Sequence, residues 1–534
     1  MGDVIADYVL LAWVLMSVST IGIALCHRFT RLTGIELVGY GLAAGVASHG
    51  IFGLLIAVSW RLRPVFILLP VGCAVASIFY LSRRRVWQQL FPALTRPVRI
   101  SLLIWLLFLA FCVALIHLNV RFPASLPDGM YVFKKQTLNV KIQVMTALPA
   151  DNYIPYVVTE YFLRHISFRQ VRPILPANEV SNRTILMSLV ALPFRAALSW
   201  PHYGSNQMGR FDYLGMTWPD WGKLYEEASF RQFLVVGIFL NSLLLVGLIV
   251  LFSNSQSTNG LPFAALLFAT NAYAINQTIF TWPKAMAGFF IVLCWDAIRR
   301  NFDPPMVGLC AAVAYHCHPS SVAVAASLGL WYAIHSWRAK ESRFRPAFQF
   351  TIAFVLGLLP WLIWTKVILR IPSDMIAQNF AGPGTQQALA SSVDFIWIRF
   401  RNLFDTFAPL PFSVYPFQLE AVVNYATFCV PFAVGIFLIV PAFLECWRLR
   451  RKERMLVCFG LVIPAAAILA LYSGPALPML HGWQPIIGAL IFLGLLRLRR
   501  TLAPSTFAVL ITLQLLCNLW IVAARGILIG AHFS

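Results

Sequence analysis

Charge is what this sequence has least of. Only 11% of its 534 residues are Asp, Glu, Lys or Arg, against about 25% in an average soluble domain. Acidic residues are the scarcer half, with 20 Asp plus Glu against 41 Lys plus Arg and a formal net charge of +21. With 59% hydrophobic residues there is too little polar surface for an ordinary soluble domain, and the composition points to a polytopic membrane protein. There is no G-x-x-x-x-G-K-[ST], no G-x-S-x-G and no D-x-D, which argues against an ATP-driven pump, a serine hydrolase and the best-known metal-dependent sugar-transfer sites. Chemistry without a metal or other cofactor is the simpler expectation. No C-x-x-C pair occurs among the ten cysteines, which lie mostly in apolar runs and read as small buried hydrophobes. Alternating ten-residue strands of the membrane-barrel type are not seen, so helices are expected to do the spanning.

What is present is a series of apolar runs, many near the roughly 18 to 20 residues that cross about 30 Å of hydrocarbon as a helix. They fall near 8–26, 34–58, 64–82, 100–118, 232–252, 261–280, 285–298, 304–317, 319–336, 349–369, 421–444, 455–472, 484–497 and 504–523. The expected fold class is therefore an all-α polytopic membrane protein of about fourteen transmembrane helices. The opening "MGDVIADYVLLAWVLM" carries two acids and no basic n-region, so it reads as a first membrane helix, not a removed signal. It also lacks the Ser or Thr of a myristoylation motif.

The cations sit in short connectors, "HRFTR", "SRRRVWQQLFPALTRPVR", "RRNFD", "HSWRAKESRFRPAFQ", "CWRLRRKERM" and "RLRRT", a pattern that writes topology and not nucleic-acid binding. Those connectors share one side, expected to be cytoplasmic by the positive-inside rule; "WRLRP" at 60–64 is the exception. On the other side lies segment 119–230, too long for a simple connection, which holds eight of the twenty acidic residues. Within it "NRTILMSLVALPFRAALSW" is broken by Pro193 and Arg195 and reads as a helix lying in the interface.

Chemistry-bearing residues collect on this outer side, and each has a plain structural reading beside its functional one. Asp128 in "LPDGMY" is either a general base at the membrane lip or part of a Pro-Asp-Gly turn. Asp151 in "LPADNYIPYVVTEYFLRH" is a second candidate base or a helix N-cap. The same stretch brings Glu160 and Arg164 together with Tyr153, Tyr156 and Tyr161, a mix suited to stacking on sugar rings and bonding hydroxyls. Arg172, Glu179 and Arg183 precede the interfacial helix, where guanidinium forks grip phosphate or lipid headgroups. Lys284 in "NQTIFTWPKAMAGFF", with Asn276 and Trp282 nearby, needs a partner or an interface because a cation in an apolar run is costly. His316 and His318 in "AYHCHPSSV" do not share a helix face and fit no zinc spacing, leaving phosphate or hydroxyl contact against packed, hydrogen-bonded histidines. Arg370, Arg399, Arg401 and His481 are further outer cations with weaker cases.

This layout resembles the integral-membrane glycosyltransferases of the GT-C superfamily. "LPDGMYVF" looks like their acidic loop start, "DNYIPY" like the segment between their first juxtamembrane helices, and "SNRTILMSLVALPF" like the stretch that in many bacterial members precedes an amphipathic helix. The likeness covers about residues 100 to 370, with three spans ahead of it and a lone acid where the family often has a pair. It implies N-terminal hairpins over 1–99, a catalytic module over 100–370 whose large extracytoplasmic loop contains juxtamembrane helices, and a C-terminal loop and helices over 371–534. It also implies an inverting, metal-independent transferase in the cytoplasmic (inner) membrane, active on the periplasmic face. The donor would be a polyprenyl-phosphate sugar and the acceptor an envelope glycan, lipid or protein. In that reading Asp128 or Asp151 is the base, while Lys284, Arg183 and His316 or His318 neutralise the departing phosphate. The alternatives are a transporter or flippase of lipid-linked sugars, or an O-antigen-type polymerase or ligase.

Overall fold

The computed structural model describes residues 2–59, 62–128, 132–143, 145, 150–164, 184–199, 227–253, 258–339, 344–368, 436–449, 451–471 and 482–521. Arg172, Glu179, Arg183, Arg370, Arg399, Arg401 and His481 lie outside the described residues. Helix dominates, and its order is α1 Gly2–Phe29, α2 Gly34–Val58, α3 Arg63–Arg83, α4 Val86–Ala93, α5 Arg96–Ile116, α6 Ile154–Arg164, α7 Leu186–Leu198 and α8 Glu227–Phe252. Then come α9 Leu261–Thr270, α10 Ala272–Ile279, α11 Lys284–Arg299, α12 Pro304–Cys317, α13 Ser321–Ala339, α14 Arg345–Leu362, α15 Ile436–Arg448, α16 Arg451–Val457, α17 Ile463–Leu471, α18 Gln484–Thr501 and α19 Pro504–Ile521.

By length and composition six of these helices can cross a membrane: α1, α2, α3, α5, α8 and α14 with its π-helical extension to Val367. A bent pair, α10 with α11, raises the count to seven. The chain is a helical membrane protein. Burial ranks the spans: α8 is enclosed along its whole apolar window, whereas α3 and α14 are mostly exposed, as expected of lipid-facing helices at the rim.

Small residues set the closest approaches, because without a hydrophobic driving force between lipid-solvated helices the backbones must touch to gain dispersion energy. A Cβ on Gly53 of α2 would sit 1.9 Å from the Leu189 carbonyl oxygen of α7. Gly53→Ala is therefore expected to push the two helices apart and destabilise the fold by about 1–3 kcal/mol, lowering the midpoint of thermal unfolding in detergent. Gly72→Ala is the control, since nothing lies within 4 Å of a Cβ there.

The described connectors gather at two opposite ends. At the basic end Arg300 pairs with Asp296 (2.7 Å) and with Glu36, Tyr40 donates to Asp296 (3.1 Å), and Arg299 donates to the Leu251 carbonyl (2.6 Å). Arg500 reaches Glu445 at 2.6 Å. At the other, the loop end, sit the start of α1, the end of α5, α6 and the start of α8. Arg63 of the exceptional "WRLRP" belongs here. It is fully buried and donates to the Leu163 and Phe162 carbonyls, 2.6 Å each. These are orphan carbonyls at the C-terminus of α6, where a cation is favoured. Its charge is spent inside the protein, which accounts for a cation on the sparsely basic side.

Two parts of segment 119–230 differ from expectation. Directly after α5 the chain forms an antiparallel hairpin, β1 Asn119–Asp128 with β2 Val132–Gln143, paired from Asn119↔Gln143 to Asp128↔Val132. Its register shifts between Ser125 and Pro127, where proline removes a ladder donor. Helix α7, expected to lie on the membrane surface, is instead covered by protein: every residue from Met187 to Ala196 is buried, against α2, α6 and α8. At thirteen residues, or about 20 Å, it is too short to span.

Candidate functional site

Pro283 decides the local geometry. It has no amide hydrogen and drives the residue before it out of the helical region, so α10 and α11 meet at a break, bent by 111°. The groups freed there are recaptured by two asparagines. Asn241 of α8 donates from Nδ2 to the carbonyls of Phe280 (3.2 Å) and Trp282 (3.4 Å) and accepts from the Met286 amide (3.1 Å). Asn152 accepts from the amide and the hydroxyl of Thr281 at 2.6 and 2.7 Å. Asn152 lies in the 3-10 turn Ala150–Tyr153 that leads into α6, so the loop is stitched to the break one residue after Asp151.

A third element closes the junction. Helix α12 ends at Cys317, whose carbonyl accepts from the Thr184 hydroxyl at 2.6 Å. His318 caps it, buried, with its ring edge-on to Trp282 at 6.2 Å between centroids and its Nδ1 2.9 Å from the Ser320 hydroxyl. Between the three elements is a small, largely apolar pocket lined by Ile154, Pro155 and Val158 of α6, Thr184, Trp282 and Pro283 of the break, and His318 with Pro319. Lys284 starts α11 beside it, nearly buried, with Nζ 5.9 Å from the Phe280 ring centroid, within cation–π range. Gln277 and Gln484, 3.0 Å apart, tie α10 to α18 at the same level.

The residues singled out from the sequence are thus divided. Asp151, by its backbone position, Lys284 and His318 converge on the junction. His316 does not: its Nε2 is 2.7 Å from the Gly357 carbonyl oxygen and joins α12 to α14. Asp128 ends β1, paired with Val132 of β2, and residues 129–131 lie outside the described residues. Nine residue steps of strand separate Asp128 from Asn119, about 30 Å at strand rise.

Glu160 and Arg164 are engaged elsewhere too. The Glu160 carboxylate is fully buried, 2.9 Å from Arg164 Nε and 2.8 Å from Arg195 Nη2, and Arg195 also bonds Gln232. Tyr156 and Tyr161 are buried, and Tyr153 stacks on Phe230 at 4.4 Å, so these rings are packing and not an open platform for a sugar.

No family model matches the chain, and no curated protein or solved structure matches it significantly.

Two features of the loop end were not anticipated from the sequence. Arg195, read as a helix breaker, is the counter-ion of Glu160. Asp7 of α1 lies 3.0 Å from His117 Nε2 and 2.8 Å from Arg231 Nε, binding α1, the end of α5 and the start of α8. An acid inside the apolar run "GDVIADYVLLAW" was the available signal, because an ionisable residue in a span implies a partner.

Proposed function

We propose that the chain is an inverting, metal-independent glycosyltransferase of about fourteen crossings in the cytoplasmic membrane. It moves a sugar from a polyprenyl-phosphate donor to an envelope acceptor on the face that carries segment 119–230. The observation that supports this best is the junction itself: a proline-broken span presents Lys284 and His318 beside the turn that holds Asp151. In this reading Asp151 takes the proton of the acceptor hydroxyl, whose oxygen bonds to the anomeric carbon as the carbon–phosphate-oxygen bond breaks on the opposite face. Lys284 and His318 stabilise the charge that collects on the leaving phosphate, an effect worth most where water is excluded. The apolar lining, Ile154, Pro155, Val158 and Pro319, suits the first carbons of a greasy carrier.

Lys284→Ala tests the phosphate role. The donor KM is expected to rise about tenfold or more, as for a lost charged contact of roughly 1.5–3 kcal/mol, with the acceptor KM moving less than threefold; equal effects on both substrates would remove Lys284 from the donor site.

One observation favours a second reading, the transport of an intact lipid-linked sugar. Broken helices near the substrate are common in secondary transporters, and α10–α11 is one. Against it, the cations and acids of the described residues lie toward the two ends of the bundle.

A further inference from the structure

The basic end carries a charged surface that the loop-end chemistry does not use. Arg28, Arg31, Arg83, Arg84, Arg85, Arg96 and Arg99 are all exposed, and none forms an ion pair among the described residues. Between residues 8 and 127 the sequence has one acid, Glu36, and Arg300 already holds it. Packing draws the seven together. His27 at the end of α1 meets Tyr80 near the end of α3, with Nδ1 3.1 Å from the phenol oxygen, so Arg28 and Arg31 flank Arg83–Arg85. A Cβ on Gly34 would lie 3.4 Å from the Ala93 carbonyl oxygen, so the start of α2 meets the end of α4 and brings Arg31 beside Arg96.

Helix α4 packs against α2 and α3 at this end. Val86, Leu90 and Leu94 are buried at i, i+4 and i+8, while Gln88, Gln89 and Phe91 are exposed. The turn into α4 is made by Arg85 at φ 53°, a left-handed conformation rare for a side chain of this size. Phe29 and Phe91 stand out at 78% and 59% exposure. The collar adjoins α3 and α5, whose outward faces show Phe79, Leu103 and Leu107, so exposed cations and exposed apolar surface meet here.

We infer that this collar binds anionic glycerophospholipids, with the guanidinium groups of Arg28, Arg31, Arg83–Arg85, Arg96 and Arg99 on the phosphates and Phe29 and Phe91 among the acyl chains. Guanidinium forks match phosphate oxygens, and uncompensated positive charge beside exposed rings fits a lipid surface better than an acidic protein, which would leave the rings in water. The inference is independent of the reading of the loop end.

Native mass spectrometry of the full chain in neutral detergent, titrated separately with phosphatidylglycerol, cardiolipin and phosphatidylcholine, tests it. The two anionic lipids are expected to be retained about tenfold more tightly than phosphatidylcholine, and Arg83→Gln/Arg84→Gln/Arg85→Gln to erase most of that preference. Arg448→Gln/Arg454→Gln, exposed arginines elsewhere on the chain, should leave it intact. On the unmodified protein, raising salt from about 50 to 500 mM should weaken anionic-lipid retention about fivefold and leave phosphatidylcholine unchanged, a readout that needs no variant to fold. Equal retention of all three lipids, an equal loss in the control variant, or full displacement by inorganic phosphate would overturn the inference.

Discussion

Asp151→Asn is expected to lower turnover at saturating donor by a factor of about 10² to 10⁴, the range that a positioned general base contributes, with little change in the amount of folded protein. Asp128→Asn is expected to stay within about threefold of the parent, because substitutions at a strand end away from the chemistry act weakly. The contrast rests on backbone position. Asp151 precedes the asparagine that bonds Thr281 in the helix break, and the same break carries Trp282, Pro283 and Lys284. Asp128 instead ends β1, paired with Val132. Initial rates with a labelled polyprenyl-phosphate sugar, compared at equal folded protein, separate the two. Loss in Asp128→Asn with normal rates in Asp151→Asn would move the base to the hairpin and detach it from the junction.

The second large effect concerns stability. Arg195→Met should destabilise the chain by about 3–5 kcal/mol, because it leaves the buried Glu160 carboxylate short of its main counter-charge. Adding Glu160→Gln on the same chain should recover most of the loss, since removing both charges of a buried pair is far cheaper than removing one. The network joins α6, α7 and α8, and α6 supplies one wall of the pocket. Thermal unfolding of the purified protein in detergent, for the two single variants and the double, measures the coupling directly. Additive losses would mean that the pair does not act as a unit.

Helix positions were legible because hydropathy and length are local properties. The run read at 34–58 is α2 Gly34–Val58, that at 64–82 is α3 Arg63–Arg83, and that at 304–317 is α12 Pro304–Cys317. The interruption between 280 and 285 was visible in "TWPKA" for the same reason, since proline acts on its own neighbours. Inside 261–280 a second break was hidden: Asn271 ends α9 and caps α10, accepting from the Tyr273 amide at 2.9 Å. One asparagine in an apolar run is a weak sign from sequence, though a recognised cap. The hairpin left a trace in "TLNVKIQ", where Leu138, Val140 and Ile142 alternate with polar residues, the period of a strand; the proline-rich first strand masked it. The ionic contacts could not be read in advance. Arg63 with α6, and Asp7 with His117 and Arg231, join residues about a hundred or more positions apart in sequence, and tertiary packing alone decides which buried charge finds which partner.

The junction reading makes the donor a substrate that is cleaved. The most direct measurement follows a doubly labelled polyprenyl-phosphate sugar, with one label on the sugar and one on the lipid, in vesicles that hold the purified chain and a panel of envelope acceptors. The account predicts that the labels part, with free polyprenyl phosphate and glycosylated acceptor appearing together on the face that bears segment 119–230. Movement of both labels across the bilayer on one intact molecule, with no polyprenyl phosphate released, would contradict it.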